Sequence, residues 1–493
     1  MKIVKRGQEA RDALKRGIDL ACDCAKATIG PGGRNAVLGR IDLPPTITND
    51  GVSVIRNIEA EDEIENQGVW IAKEACSVAS GKAGDGTTTT AVLLQAIIGK
   101  CFDMLKDDGS LVSSKPNVTE LMRQVNKAKE EIVAELEKTA KPVTEAQIFD
   151  VAKSAGELDW IASIVTEMYS KIGKDGHVTL KEGVRTRYET FKGIELNAGY
   201  PSEYFVTNDS QEAVIENPRI LVTNQALDTV CVASLIPELA KAEAKGLILV
   251  APDFSRDMIS RLNTTKLKTG FSAISIKLPT YGNDDILIDV ATLTGAKFLD
   301  RNVYAKTEDF IRAITLEALG TSDSVVVGQA KTTIIGGNGD TTERVKVIRQ
   351  KMAETLSLFD KDALEKRLAY LSGGIATLYI GGASDFEKGY LKLKAENAVA
   401  SVQRALEKGV VKGGGLALKE IGDRLVDNVL SDCVKEPYNQ IQENAGGIEI
   451  GDNVIDAVAV TISSLESACS LASVALTTEV VTAFKNKKDE RQD

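Results

Sequence analysis

Asp85 stands between two glycines and ahead of four consecutive threonines in GKAGDGTTTTAV, residues 81–92. Four β-branched residues in a row are a poor helix start on propensity. They do place four hydroxyls beside a backbone that Gly84 and Gly86 free for positive φ, so that successive N–H groups can converge on an anion. The run AVLLQAII predicts a helix that begins at residues 87–90, and the N–H groups of a helix start favour negative charge. A carboxylate beside phosphate needs a bridging cation, for which Mg²⁺ is the usual ion. The pattern is not the G-x-x-x-x-G-K-[ST] loop. On spacing alone, Asp85, Gly86, Thr87, Thr88 and Thr89 read either as a phosphate cradle or as a glycine-capped turn into a helix.

Three further stretches repeat the theme: TIGPGGRN (28–35), TNDGVSV (48–54), which supplies Asp50, and VVKGGGLAL (410–418). Taken singly, each is a turn signal. IIGGNGDTTE (334–343) has a strand-loop-helix look but lacks G-x-G-x-x-G spacing, and reads as a structural turn. The single histidine, His177 in GKDGHVTL, reads as a surface residue after a turn. One histidine excludes a zinc site with several histidines, and any Ser-His-Asp or Cys-His enzyme would have to be built on it. Chemistry must come from carboxylates, hydroxyls, backbone and a hard metal ion.

The elements that position these residues are helical at both ends. Ala10, Leu14, Ile18 and Ala21 give helical spacing over 7–27; further helices are expected at 64–80, 88–105 and 118–139, the last with Leu121, Val125, Ile132 and Leu136 on one stripe. Asn117 and Glu120 resemble a capping box at its start. From about residue 176 the period changes: HVTLKEG, YETFKGIEL, RILVTN, GLILVAP and FSAISIKLP read as strands, alternating with helices at 232–245, 255–268 and 284–295. Helical pattern resumes in TTERVKVIRQKMAETLSLFDKDALEKRLAYL, at 386–408 and at 454–475. An α/β stretch over roughly 190–373 between helical ends predicts a multi-domain α+β chain with one domain built from both termini. The closing KNKKDERQD reads as a charged tail.

Composition limits the partners. The 493 residues exceed one core, so two to four domains are expected. The balance, 43% hydrophobic and 27% charged, is that of a soluble globular protein. A net charge of -11 with only 5% aromatic residues argues against nucleic acid. No signal peptide is expected, and no apolar run is expected to reach the roughly 18 residues a membrane span needs. Seven scattered cysteines fit reduced thiols and a cytoplasmic protein.

TIGPGGRNAVL, PTITNDGVSVIRNIEAEDEIENQGVWIAKEACSVASGKAGDGTTTTAVL, DVATLTGAKFL, EKGVVKGGGLAL and VIDAVAVTISSLESACSLASVALTTEVV together resemble the bacterial GroEL-type (group I) chaperonins, in order over nearly the whole chain. The resemblance implies an equatorial domain from 1–134 and 408–493, an intermediate domain from 135–192 and 374–407, and an apical domain from 193–373. It implies a helical equatorial domain that binds ATP, and subunits in a seven-membered ring, single or double. Non-native polypeptides are the implied partners, with a co-chaperonin lid as a further one. The implied cofactors are ATP and Mg²⁺, with K⁺ a further candidate.

Carried onto this chain, phosphate contacts fall on Thr28, Ile29, Gly30, Pro31 and residues Asp85 to Thr89, with Asp85 on Mg²⁺. Gly414 and Asp456 fall against the nucleoside. Gly193, Gly373 and Gly374 match the apical hinge. Tyr200, Tyr204, Phe205, Ile236, Leu239 and Ile259 match the polypeptide-binding groove. The chain also departs from the family. Asn49 replaces a lysine near phosphate. Asn397 replaces the catalytic aspartate; an asparagine can orient a water but cannot take its proton. Asp50 is the remaining candidate base, and Glu396 is turned about 100° away around the helix. Asn263 and Thr264 make the groove more polar, and Ala198 replaces an arginine of the apical domain. Segments 416–437 and 438–455 are shorter than in the family, with loss of a base-contacting hairpin. The implied activity is that of an ATP-dependent chaperonin with slow hydrolysis. The alternative is an ATP-responsive client-binding ring with negligible turnover.

Overall fold

In a computed structural model, the chain is described over residues 2–40, 43–105, 117–207, 211–279, 284–304, 306–355, 357–447, 451 and 454–484. It is a multi-domain α+β protein with two compact units. The first unit joins Met1–Glu167, Glu182–Thr186 and Tyr379–Asp493; the second joins Met168–Lys181 and Arg187–Leu378. The tail KNKKDERQD lies outside the described residues.

In the first unit the two chain ends meet. Lys2–Arg6 pairs antiparallel with Val480–Phe484, from Lys2 opposite Phe484 to Arg6 opposite Val480. The core is helical: Gly7–Lys26, Glu65–Ala83, Thr87–Leu105, Val118–Thr139 and Val458–Thr477 bury Ile18, Val69, Leu94, Ile132 and Leu465 against one another. The stripe expected in Val118–Thr139 is buried at Leu121, Val125, Ile132 and Leu136. Only half of the expected capping box forms there. Asn117 Oδ1 accepts from the Glu120 N–H at 2.7 Å, but the Glu120 carboxylate turns to Arg123 and Gln124. Thr87–Leu105 and Val458–Thr477 are by length and composition apolar enough to cross a membrane, contrary to the expectation from the sequence. Both carry long rows of buried residues within this unit, as a helix that is hydrophobic nearly all round requires.

In the second unit, Ser272–Lys277, Gly246–Ala251 and Arg219–Val222 run parallel, with Gly320–Thr321 antiparallel at the edge. All six residues of Gly246–Ala251 are buried, as a parallel strand covered on both faces must be. A second sheet orders Gly193–Leu196, Thr332–Ile335, Ser324–Val327 and Ala213–Glu216, all antiparallel. The helix expected at 232–245 is instead two short ones, Thr229–Val232 and Leu235–Lys241. The long helical run after residue 341 breaks into Thr342–Glu354 and Leu358–Ser372. The glycine loop at 336–339 is a packing turn: a Cβ at Gly337 or Gly339 would run into the Leu293 or Thr292 carbonyl of the helix Asp285–Thr294.

Those three helices are tied by a buried ion cluster. Asp289, fully buried, accepts from Arg367 Nε at 2.5 Å and Arg344 Nε at 2.7 Å. Asp285 accepts from Arg344 at 2.7 Å and Lys351 at 3.0 Å. Burial alone would push the Asp285 carboxyl up, but hydrogen bonds from Arg344 and Lys351 and the Arg367 charge hold it well below the usual range. A depressed carboxyl contributes stability above its unfolded pKa and loses it as pH falls. This unit is therefore expected to loosen as pH drops below about 4. Arg367→Met is expected to cost about 3–5 kcal/mol by leaving Asp289 short of a partner, read by urea unfolding; a loss under 1 kcal/mol would show the cluster to be dispensable.

Candidate functional site

The four glycine-rich stretches converge in the first unit. Residues 28–33, 49–52, 84–89 and 414–415 line one cavity of about 820 Å³, joined by 150–157, Lys394, Asn397, residues 437–445 and Asp456. That volume falls within the range of small-molecule sites.

The threonine run is resolved residue by residue. Gly84 is the left-handed C-cap (φ 76°) of Glu65–Ala83, its N–H donating to Ser80 O at 2.7 Å. Gly86 also has positive φ, 90°. Side chains at 84 and 86 would run into Ala400 and Ser464, so both glycines are needed for close packing. Thr90 Oγ1 donates back to Gly86 O at 2.9 Å. Thr87 Oγ1 is buried and has no hydrogen-bond partner among the described residues, although it lines the cavity. Such an orphan costs roughly 1–3 kcal/mol unless a ligand or water satisfies it. The loop is thus both a capped turn and a cradle that opens the N-terminus of a 19-residue helix to the cavity.

Five carboxylates line the cavity, and three of them, Asp85, Asp456 and Asp50, belong to or bond the glycine-rich stretches. Asp85 accepts from the Gly86 N–H at 2.6 Å and from Ser401 Oγ at 2.9 Å. Burial, with added repulsion from Asp456 and Asp50, pushes its pKa up to about 6 despite those bonds. Asp456 lies on the strand Ile455–Ala457, opposite Val411. It accepts from Ser154 Oγ at 3.1 Å and the Gly414 N–H at 3.0 Å, and burial pushes its carboxyl up. Asp50 caps the helix Gly51–Arg56, with Oδ2 accepting from the Ser53 N–H at 2.8 Å. Clustered carboxylates of this kind suit a hard cation bound together with phosphate. Among the described residues no ready-made group of three or more metal ligands exists, so phosphate oxygens and water would have to complete the coordination of such an ion.

The other expected contacts fall into place unevenly. Thr28, Ile29, Gly30 and Pro31 all line the cavity. Ile29 packs its side chain with Val92 and Ile441, and its backbone N–H donates to Lys26 O at 3.3 Å. The Thr28 hydroxyl donates to Ala25 O at 2.8 Å. Asn49 Nδ2 donates to Glu157 Oε2 at 2.8 Å. Asn397 lines the cavity, whereas Glu396, one position earlier, is not among its lining residues. Sequence reasoning missed Ser154, Glu157, Lys394, Ser401 and Asn444. Asn444 Nδ2 ties the first loop by donating to Lys26 O at 2.9 Å and Ile29 O at 3.0 Å. Of these, only Lys394 and Ser401 carried a signal: both share a helical face with Asn397.

The six groove positions lie in the second unit and do not form one exposed face. Tyr204 is 79% exposed. Leu239, Phe205 and Tyr200 are buried in the hydrophobic core, with Ile236 and Ile259 packed against it. Leu239→Glu is therefore expected to destabilise this unit by on the order of 3 kcal/mol or more, as a buried charge does, whereas Tyr204→Glu leaves its unfolding midpoint unchanged in a thermal melt. Gly193 (φ 153°) and Gly373 are fixed by close approach: a Cβ would meet the Ile334 carbonyl at the first and the Gly176 N–H at the second. The N–H of His177, at the head of its strand, donates to Gly374 O at 3.0 Å. All seven cysteines are free thiols.

Residues 22–234 match the family model described as the TCP-1/cpn60 chaperonin family. Over 98% of the chain, the fold matches the crystal structure of the chaperonin gp146 from the bacteriophage EL 2 (Pseudomonas aeruginosa) in presence of ATP-BeFx. In crystal form I the TM-score is 0.67 at 18% identity, covering 99% of that chain. In crystal form II it is 0.61 at 19% identity, covering 100%.

Proposed function

We propose that this chain is a divergent TCP-1/cpn60 chaperonin of the GroEL type, that its cavity binds Mg-ATP and that ATP switches a ring of subunits between capturing and enclosing non-native protein. The observation that carries the nucleotide reading is the buried, partnerless Thr87 hydroxyl at a helix N-terminus that opens onto a cavity lined by glycine loops from both ends of the chain. A triphosphate satisfies that hydroxyl and the first-turn N–H groups. Asp85 is the residue that would hold Mg²⁺, which when bound neutralises charge on the phosphate oxygens. Asp456 and Gly414 hold the nucleoside, and their mutual hydrogen bond fixes the geometry of that end.

Coupling requires that ATP bind one arrangement of the domains better than another. Enclosure in a ring keeps exposed apolar segments of clients from aggregating. The gp146 structures were solved with an ATP analogue, which supports nucleotide as the ligand class here. Isothermal titration should give saturable Mg-ATP binding near one site per chain. Heat from dilution alone would rule the reading out. On the client side, Tyr204→Glu should weaken suppression of aggregation of a denatured protein while Mg-ATP binding is kept.

A second reading is favoured by Asn397. An amide in the cavity positions a water without accepting its proton. The ring would then respond to ATP binding with negligible turnover, and steady-state phosphate release separates the two readings.

A further inference from the structure

Lys394 lines the same cavity with a side chain only 3% exposed, and its ammonium pairs with Glu157 at 2.8 Å. Lysines are almost never buried so fully without a partner. The other lysines in the lining, Lys153 and Lys412, are half exposed and pair with Asp159 and Glu420. Lys394, Asn397 and Ser401 stand at i, i+3 and i+7 of the helix Asp385–Lys408, on one face. That face reaches the foot of the threonine loop, where Ser401 Oγ donates to Asp85.

Charge makes the placement informative. Asp50, Asp85, Asp150, Glu157 and Asp456 all line the cavity, a repulsive wall for a triphosphate unless cations offset it. Glu157 Oε2 takes both the Lys394 ammonium and the Asn49 amide, each at 2.8 Å, so the ammonium stands beside position 49. An ammonium carries three donors. One goes to Glu157, and the Tyr390 ring lies 5.6 Å from the nitrogen.

We infer that Lys394 is a phosphate-binding residue: its ammonium, held in place by Glu157, bonds a terminal phosphate oxygen of the nucleotide. The assignment rests on the reading of the cavity as a Mg-ATP site. A purely structural ion pair makes a different prediction, because its two members fail alike when either is removed.

The test is isothermal titration of Mg-ATP and Mg-ADP into the full chain, its Lys394→Gln and Glu157→Gln variants, and the double variant Lys394→Gln with Asn49→Lys. A thermal melt without nucleotide accompanies each. Lys394→Gln is expected to bind Mg-ATP about tenfold more weakly or worse, with a smaller loss for Mg-ADP. Glu157→Gln is expected to bind Mg-ATP at least as tightly as the parent, since it removes a competing anion. Asn49→Lys should recover most of the loss, because its ammonium can stand beside the same carboxylate. The assignment is overturned if Lys394→Gln binds like the parent, or if Lys394→Gln and Glu157→Gln weaken binding alike. Should Lys394→Gln fail to fold, Glu157→Gln carries the test alone: weaker ATP binding in it contradicts the assignment. A parent that binds no Mg-ATP overturns the reading of the cavity, and this assignment with it.

Discussion

Asp85→Asn is expected to weaken Mg-ATP binding about 100-fold, near 2.8 kcal/mol at 1.4 kcal/mol per decade, and yet to raise the stability of the nucleotide-free protein at pH 8. Both effects have one cause. Burial and the neighbouring Asp456 and Asp50 push the Asp85 pKa up to about 6, so its ionised form is costly without a cation. A raised carboxyl binds more protons folded than unfolded between its two pKa values. Stability therefore falls as pH rises from about 4 to about 6 and is flat above. The neutral amide avoids a cost on the order of 3 kcal/mol, but offers a hard cation a much poorer ligand. The same proton competes with the cation, so Mg-ATP affinity in the parent should fall about tenfold per pH unit below about 6. Calorimetry across pH 5–8, with thermal melts on both proteins, reads all of this. Unchanged Mg-ATP affinity in Asp85→Asn would remove Asp85 from the site.

Asn397→Asp is expected to raise the single-turnover hydrolysis rate about 10-fold. General-base contributions run to about 10²–10⁴-fold, but the gain here is limited because Asp50, Asp85 and Asp456 already crowd the cavity with carboxylates, and a further charge repels the phosphates. Asp50 is the alternative base. One of its oxygens is engaged in capping the helix Gly51–Arg56. Asp50→Ala should therefore nearly silence the parent and also cost about 1 kcal/mol of stability through the lost cap. In the double variant the Asn397→Asp carboxylate should restore turnover. A change under twofold on Asn397→Asp, with ATP affinity kept, would mean that hydrolysis runs through another residue or that ATP binding alone is the switch.

Much of the fold is legible in the chain. The stripe of Leu121, Val125, Ile132 and Leu136 predicts both the helix and its buried face, because a 3.6-residue period leaves few alternatives. Breaks within helical runs are less legible: the separation of Thr342–Glu354 from Leu358–Ser372 carries no proline or glycine signal. In the site, glycine spacing marks the loops because Gly84 and Gly86 must take positive φ and admit close neighbours. What holds the carboxylates is not legible. Ser401 reaches Asp85 and Ser154 reaches Asp456 across hundreds of residues, pairings that exist only once the chain is folded. Lys394 in KLKAEN looks like one more solvent-facing lysine, and its burial is set by Glu157 at a left-handed C-cap (φ 62°). Apolar spacing also fails to separate a groove from a core, which is why Leu239 and Phe205 prove buried while Tyr204 is exposed.

The central claim is an ATP-switched ring, and electron microscopy of the purified full chain with and without Mg-ATP tests it most directly. The account predicts closed rings of identical subunits whose class averages change on addition of Mg-ATP, with the change lost in Asp85→Asn. Monomers under both conditions, or rings indifferent to Mg-ATP, would contradict it.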